Sequence, residues 1–494
     1  MRSRLSKSRY LMGRQCPKRL WLYAHGADQP EADPTLEHLL DEGARVGELA
    51  RQLFPGGMLI EEDHTQLERA PASTQAAIAN GATTIYEATF QHGGVLVRVD
   101  ILERRSPRAG RWDLYEVKMS GSLKEPHLDD LAVQKWVLEG AGLQVGKASI
   151  VHLDTGYVRS GELDLAQLFE VEALTRELAG TGAEVARSVG ELLAVVQEPA
   201  APPVAIGPHC HDPYECEYQG HCWKGLPDYS VFELTRDRGK AWVYWNDGVR
   251  ALEHIPLDDP LSSAQRIQVE LARNGGLRFE RRQVADFLRD FTYPLYYLDL
   301  ETAGPAIPPH DGLKPFQQMP FQFSVHRVDR PGAAPVHAEF LAEDGADPRG
   351  RLGEAMLAAL GAEGSIAVYN QAFEERICRE LADFLPARRS PLHAVVRRMQ
   401  DLAEPFGRRW VANREMRGRY SLKLVAPALL GAVADYSSLE IADGGHASLG
   451  YLRMIAPDTP SEERARLRQA LLRYCAEDTL NLVRIFDWLR ARAS

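Results

Sequence analysis

The chain has 494 residues, 45% hydrophobic and 26% charged, with a formal net charge of -11. That length exceeds what one core fills, so two or three domains are expected, and the composition is that of an ordinary soluble globular protein. The net acidity excludes unspecific coating of nucleic acid, but not a local phosphate-binding site, because affinity for phosphates follows the local charge.

The chain opens on a basic arm. From Arg2 to Arg19 it carries Arg2, Arg4, Lys7, Arg9, Arg14, Lys18 and Arg19 and no acidic residue. Charges interrupt the apolar residues of "YLMGRQCPKRLWLY", so no secretory signal is read, and no uncharged run approaches the roughly 18 residues of a membrane span. The expectation is a cytoplasmic protein with no membrane partner. In that compartment clustered cysteines hold metal more often than they form disulfides.

Up to about residue 190 the pattern is mixed α/β, with a helix-like "EHLLDEGARVGELARQLF" and strand-like "GVLVRVDIL", "WDLYEVKM" and "KASIVHLD". Asp100 ends one strand. After a polar turn containing Pro107 and Gly110, "LYEVKM" puts Glu116 and Lys118 on one strand face and Val117 on the other. A hairpin brings Asp100 near the pair. Two carboxylates that hold a divalent cation, beside an ammonium that eases formation of hydroxide or negative charge, suit phosphodiester cleavage. Alone, the same residues are equally the exposed face of an amphipathic strand. The helix-like "HLDDLAVQKWVLEGAGL" then places Gln134 where the chain can return over the carboxylates.

This set of Asp, Glu-x-Lys and downstream Gln resembles the PD-(D/E)XK nucleases of the RecB and AddB type. The resemblance implies that Asp100 and Glu116 are metal ligands, Lys118 activates water, and Gln134 positions phosphate or nucleophile. Two places depart from it: Leu138 stands where the family often has a Tyr after the Gln, and the early helix offers only Glu48, with Glu42 further back, as an extra ligand.

A Pro-rich break, "QEPAAPPVAIGP", leads into "HCHDPYECEYQGHCW", with Cys210, Cys216 and Cys222 at equal spacing. Structural zinc sites favour closer pairs, and wider gaps suit a larger cluster. Cys16 in "GRQCPKRLW" is the remaining candidate for a fourth ligand, while Cys378 and Cys475 read as small buried hydrophobes in helical patterns. One distant and three clustered cysteines around a nuclease core resemble the iron-sulfur nucleases related to AddB and to the CRISPR-associated RecB-like exonucleases, over about residues 1–225. The first gap is longer here than in the commoner version. The resemblance implies a 4Fe-4S cluster on Cys16, Cys210, Cys216 and Cys222 that clasps the two ends of the domain. Zinc on the same four residues is the alternative.

Residues 224 to 290 look largely helical and polar and carry no assignable chemistry. Beyond them "YPLYYLDLETAG" ends an apolar strand with Asp299 and Glu301 on one face. "IAVYNQAFEERI" follows with Asn370, Phe373 and Glu374. A stretch from Arg388 to Lys423 holds ten basic against three acidic residues, and "RYCAEDTLNL" sets Tyr474 and Asp478 one helical turn apart. Acids from a strand, a second segment and a late helix can converge on two divalent ions about 4 Å apart.

This order resembles the DnaQ-like exonucleases on an RNase H-like fold, which implies Asp299, Glu301, Glu374 and Asp478 as metal ligands and Tyr474 as the residue that orients water. Glu374 replaces the usual Asp. The whole arrangement, carried by "LSKSRYLMGRQCPKRLWL" and "YPLYYLDLET", resembles a poorly characterised bacterial family labelled as a domain of unknown function.

The expectation is therefore an α/β protein: an N-terminal restriction-endonuclease-like domain with an iron-sulfur clasp over 1–225, a mainly helical connector over 226–290, and a C-terminal RNase H-like domain over 291–494. Its expected activity is Mg²⁺- or Mn²⁺-dependent hydrolysis of DNA, single-stranded or at ends, with RNA as the other candidate substrate. The basic arm would flank the first site and the arginines of 388–423 the second. The rivals are a nucleic-acid-binding or scaffold subunit with inactive nuclease folds, and a one-site enzyme whose C-terminal domain only binds.

Overall fold

The computed structural model describes residues 4–26, 34–62, 66, 68–104, 110–434, 436 and 439–494; Arg2 and Pro107 lie outside them. The chain is mixed α/β and divides into two compact units. One is Met1–Gly225 with Pro305–Phe316, the other Leu226–Gly304 with Gln317–Ser494. The segment 226–290, expected as a connector, belongs to the second unit, and residues 305–316 belong to the first. Among the described residues no helix is long and apolar enough to cross a membrane.

The first unit is built on a seven-stranded sheet: β1 (Leu5–Ser6), β2 (Met58–Leu59), β3 (Thr84–His92), β4 (Val95–Glu103), β5 (Arg111–Lys118), β6 (Gln144–Leu153) and β7 (Phe169–Ala173). The order is β2-β3-β4-β5-β6-β7, with β1 parallel to β4. Its helices include α1 (Lys7–Gln15), α2 (Pro17–His25), α3 (Pro34–Arg51), α4 (Ala70–Ala79) and α5 (Pro126–Gly140). The pair β5 and β6 is parallel, which a tight hairpin cannot join, and α5 supplies the crossover.

Both faces of this sheet are covered. Val97, Val99, Leu114 and Ile150 meet Leu131, Val133 and Val137 of α5 on one side. Tyr115, Val151 and Leu153 meet Val46 and Ala50 of α3 on the other. Each such aliphatic side chain contributes about 1.5–3 kcal/mol by leaving water. Strand β4 is shared along one edge: β1 pairs with Val95 and Leu96, and β5 with Ile101 to Glu103. Asp100 lies in the fork between them.

The basic arm folds into α1 and α2. Ser6 caps α1 by accepting the Arg9 N–H at 3.3 Å, and Cys16 both ends α1 and opens α2, where Pro17 needs no N–H partner. Gly26, at φ 67°, ends α2 in the left-handed conformation that glycine adopts without strain.

The second unit holds β8 (Leu277–Phe279), β9 (Leu295–Ala303), β10 (Met319–Val328), β11 (Val336–Leu341), β12 (Ile366–Val368), β13 (Met399–Asp401) and β14 (Val411–Asn413). Five of them form a sheet in the order β11-β10-β9-β12-β13, and β8 pairs with β14. Central β9 runs antiparallel to β10 and parallel to β12. Tyr296, Leu298 and Leu300 fill one core, and Leu295 and Tyr297 fill the other with Leu482, Phe486 and Leu489 of the long helix Ser461–Ala493. Asp299 and Glu301 continue the face that looks at this helix. Polar bonds fix the helix in register: Gln322 Nε2 donates to the Leu471 carbonyl at 2.8 Å, and the Thr479 hydroxyl meets Ser324 Oγ at 2.7 Å and His326 Nδ1 at 2.8 Å.

Candidate functional sites

In the first unit, Glu116 and Lys118 lie on the face of β5 that α5 covers, and Asp100 approaches from the fork in β4. Asp100 Oδ2 accepts the Val117 N–H at 2.7 Å. Gln134 reaches down from α5 and donates from Nε2 to Glu116 Oε2 at 2.8 Å and to Asp130 Oδ1 at 2.9 Å. Lys118 Nζ lies 2.7 Å from Glu116 Oε1 and 2.5 Å from Asp130 Oδ2. The four residues singled out in the sequence thus come together.

Two further residues complete the cluster. Asp130 stands one turn before Gln134 on α5. Lys7, the first residue of α1, sets its Nζ 2.5 Å from Glu116 Oε1 and 3.2 Å from Asp130 Oδ1. Glu87, opposite Asp100 on β3, has φ 58° and is held by Arg51 at 2.5 Å and Arg98 at 2.6 Å, a left-handed backbone inside a strand beside the site. Glu42 and Glu48 are elsewhere: Glu42 accepts the Ala306 N–H at 3.3 Å, and Glu48 is exposed. Leu138 is a core residue.

Charge in this cluster is nearly balanced. Burial alone would lower the Lys7 and Lys118 ammoniums, but the Glu116 and Asp130 carboxylates hold both above the usual lysine value. Burial likewise opposes ionisation of Glu116, and Lys7 with Lys118 outweighs it, holding this carboxyl below its ordinary range. Asp100, with no ammonium within ion-pair distance among the described residues, is pushed up to about 8 by burial and then by Glu116, against the weaker pull of Lys7.

The cysteines of the first unit line one cavity, with Cys16 and Cys210 buried and Cys216 and Cys222 half-buried. Burial pushes the Cys16 and Cys216 thiols up, while the Arg19 and Lys18 backbone N–H groups at the start of α2 pull Cys16 down. Gln15, next to Cys16, donates to the carbonyls of His209 at 2.8 Å and Tyr214 at 2.6 Å. The Cys216 N–H donates to the Cys210 carbonyl at 2.9 Å. These bonds tie the start of the chain to the cysteine loop.

In the second unit, Asp299 and Glu301 lie in the second half of β9, Glu374 comes from the first turn of helix Gln371–Phe384, and Tyr474, Cys475 and Asp478 come from helix Ser461–Ala493. One carboxylate oxygen each of Asp299 and Glu301 and the Cys475 sulfur lie within 4.8 Å of one another. The Cys475 thiol donates to Asp299 Oδ2 at 3.4 Å. Cys475, read from sequence as a buried hydrophobe, is buried but belongs to this polar cluster; Cys378 is a core residue. Glu374 is 2% exposed, and its Oε2 has no hydrogen-bond partner.

Asp478 is engaged differently. Lys423 Nζ contacts its two oxygens at 2.5 and 2.7 Å, and the Tyr436 hydroxyl donates to Oδ1 at 2.7 Å. The ammonium also lies 3.9 Å from the Tyr436 ring centre and 4.1 Å from that of Tyr474. The face of Tyr474 is therefore turned to Lys423. Burial and then Asp478 raise Asp299 to about 7, against the opposing pull of Lys423. Burial and Asp299 push Glu301 and Glu374 well above the usual carboxylate range. Several acids are thus gathered around one ammonium, and they keep protons for want of more positive charge.

The arginines of 388–423, expected beside this site, are largely committed within the unit. Arg388 pairs with Glu354, Arg417 with Glu233, and Arg398 and Arg409 donate to backbone carbonyls. In the basic arm Arg14 meets Asp129 and Arg19 meets Glu217. Asp130 and Tyr436 are the functional candidates that sequence reasoning missed, while Lys7 and Lys423 were read only as members of the two basic runs, without a partner. Only Asp130, one turn from Gln134, left a periodic signal.

Among the curated proteins none matches the chain. Residues 296–421 match a family described as a domain of unknown function, DUF2779, a stretch that contains Asp299, Glu301 and Glu374 and excludes Lys423, Tyr474 and Asp478.

Proposed function

We propose that the chain is a metal-dependent nuclease that hydrolyses phosphodiester bonds of DNA, at single strands or ends, with a PD-(D/E)XK-type site in the first unit and a DnaQ-like site in the second. The observation that carries this reading is the second cluster: acids from a strand and two helices converge, one buried carboxylate oxygen is unpaired, and three donor atoms lie within 4.8 Å of one another. Burying so many acids is costly unless a cation neutralises them. A bound divalent ion would lower the pKa of water and offset charge on phosphate. Asp299, Glu301 and Glu374 would hold it at the second site, and Asp100 and Glu116 at the first. Lys118 would orient or deprotonate water, and Gln134 would fix the Glu116 carboxylate.

For the cysteine cavity, the four thiols suit either zinc or an iron-sulfur cluster, and their spacing supports the cluster. Thiolates on one tetrahedral ion stand about 3.8 Å apart. Among the described residues the group of three or more donor atoms within 4.8 Å is Asp299, Glu301 and Cys475, so Cys16, Cys210, Cys216 and Cys222 are more widely spread. A cluster there joins the start of the chain to the body of its unit.

A second reading, in which the first unit binds nucleic-acid ends without cutting, draws on Lys7 and Lys118: two ammoniums already neutralise Glu116 and Asp130. Cleavage of end-labelled single- and double-stranded DNA and RNA by anaerobically purified protein, with Mg²⁺ or Mn²⁺, separates the readings. Metal-dependent products that disappear in Asp299→Ala or Lys118→Ala support the nuclease. Intact substrates bound by a well-folded, metal-loaded protein support the binding module.

A further inference from the structure

The acids of the second unit do not share their charge evenly, and the difference divides the cluster in two. On one side, Asp478 has both oxygens on the Lys423 ammonium and one of them also on the Tyr436 hydroxyl. Asn481 Nδ2 donates to that hydroxyl at 3.0 Å, which aims the phenol proton at Asp478. The rings of Tyr436 and Tyr474 flank the ammonium, and aromatic faces attract cations of this kind. On the other side, Asp299, Glu301 and Cys475 have no ammonium within ion-pair distance among the described residues; Glu374, with an unpaired, buried oxygen, is near enough to Asp299 to feel its charge but lies outside that 4.8 Å group.

The Cys475 sulfur stands 3.4 Å from Asp299 Oδ2. Sulfur and oxygen that share one ion, at metal distances of about 2.3 and 2.1 Å, lie about 3.1–3.6 Å apart for angles between square and tetrahedral. The 3.4 Å of the thiol–carboxylate hydrogen bond thus also suits two ligands of one ion, with no movement of either side chain needed. A thiolate is a soft donor that suits Zn²⁺ and other transition ions, whereas Mg²⁺ takes oxygen ligands and sheds water reluctantly.

We propose that the second unit binds a single thiophilic divalent cation through Asp299, Glu301 and the thiolate of Cys475, and that the caged Lys423 ammonium permanently takes the place of a second cation on Asp478. The inference deepens the nuclease reading of this site and rests on it for the use of the cation. On binding, the sulfur–metal bond forms, the S–H bond breaks and its proton passes to solvent. Asp478 is then a positioning residue for Lys423.

The test is made on the full chain, stripped of loosely bound divalent ions and checked for folding by circular dichroism. Titration with Co²⁺ should produce a near-ultraviolet thiolate-to-cobalt charge-transfer band, part of which is lost in Cys475→Ser. Zn²⁺ affinity should fall at least about tenfold in the same variant, as for loss of any metal-site group, while Mg²⁺ affinity changes little. Equilibrium counting of Mn²⁺ should show Asp299→Asn losing one ion relative to the parent and Lys423→Met gaining one, with Lys423→Arg unchanged. An unaltered cobalt band in Cys475→Ser, or loss of two Mn²⁺ ions in Asp299→Asn, overturns the proposal even if Lys423→Met fails to fold. A chain that binds one ion through Cys475 yet cuts no nucleic acid upholds the proposal and sinks the nuclease reading. A chain that cuts in Mg²⁺ while Cys475→Ser keeps the full cobalt band does the reverse.

Discussion

Lys7 and Glu116, 109 residues apart in sequence, meet with Nζ 2.5 Å from Oε1. The contact fills a position on the Glu116 carboxylate that a metal ion would otherwise use. Lys7→Ala should therefore strengthen Mg²⁺ binding at the first site. Lys118 and Gln134 still partner Glu116, so the stability loss should stay near that of one charged hydrogen bond, about 1.5–3 kcal/mol. Calorimetric Mg²⁺ titration of the variant in an Asp299→Ala background checks it, and weakened binding would show that Lys7 supports the metal site rather than blocking it.

Lys118 has the complementary role. Lys118→Ala in the same Asp299→Ala background should reduce cleavage at the first site by at least about a hundredfold, the scale of a lost proton-transfer or charge-stabilising group. Binding to a labelled oligonucleotide should persist, because Lys7 keeps its charge beside Glu116. Undiminished cleavage would remove Lys118 from the chemistry.

The cysteine cavity makes a spectroscopic prediction. Anaerobic protein should show broad visible absorption and equal iron and acid-labile sulfide, and Cys210→Ser should lose both. Ligand binding and folding are coupled in such sites, so limited proteolysis of this variant should open the first unit before the second. Stoichiometric zinc without iron or sulfide would assign the four thiols to a single ion.

Stability without divalent ions should fall as pH rises. Asp299 at about 7 and Asp100 at about 8 titrate above the ordinary aspartate value of 3.8, so the folded chain keeps protons that the unfolded chain has released. That excess favours the folded state at low pH and is lost between about pH 4 and pH 8. Glu116, held low by its lysines, and His127 and His326, held low by burial, bind more protons in the unfolded chain and so oppose this slope, but only in the acid part of the window. Melting temperatures of metal-free protein should decline across the range, and millimolar Mg²⁺ or Mn²⁺ should flatten the decline. A metal-independent profile would show that cations do not replace these protons.

How much of this was legible in the sequence depends on the range of the interaction. Alternation in "LYEVKM" and "YYLDLET" put Glu116 with Lys118 and Asp299 with Glu301 on shared strand faces, because side-chain direction in a strand is a local property. Strand β1 has two residues, too few for any period to be read. Its pairing with β4 brings Lys7 to the site, and Lys423 reaches Asp478 across 55 residues. Such contacts are set by tertiary packing and leave no mark on neighbouring residues. Cys475 shows the same limit: the helical pattern says that it is buried, as it is, but not that the opposite surface is Asp299. The segment 226–290 looked independent because the partner of β8, β14, lies more than a hundred residues further on.

The joining of the first unit's two sequence extremes also bears on when that unit can acquire its native form during synthesis. Leu5 pairs with Val95, Lys7 with Glu116, and Gln15 with His209 and Tyr214, so the first strand and helix find partners only after progressively later segments exist. Contacts of such separation carry a loop-closure cost before they return any stabilisation, which slows folding. A nascent chain leaving the ribosome can assemble β3 to β6 around α5 while α1 still lacks the Cys210 loop. Strand β1 and Lys7 can therefore dock as soon as β4, Glu116 and Asp130 are present, whereas Gln15 and Cys16 at the far end of α1 wait for the Cys210 loop.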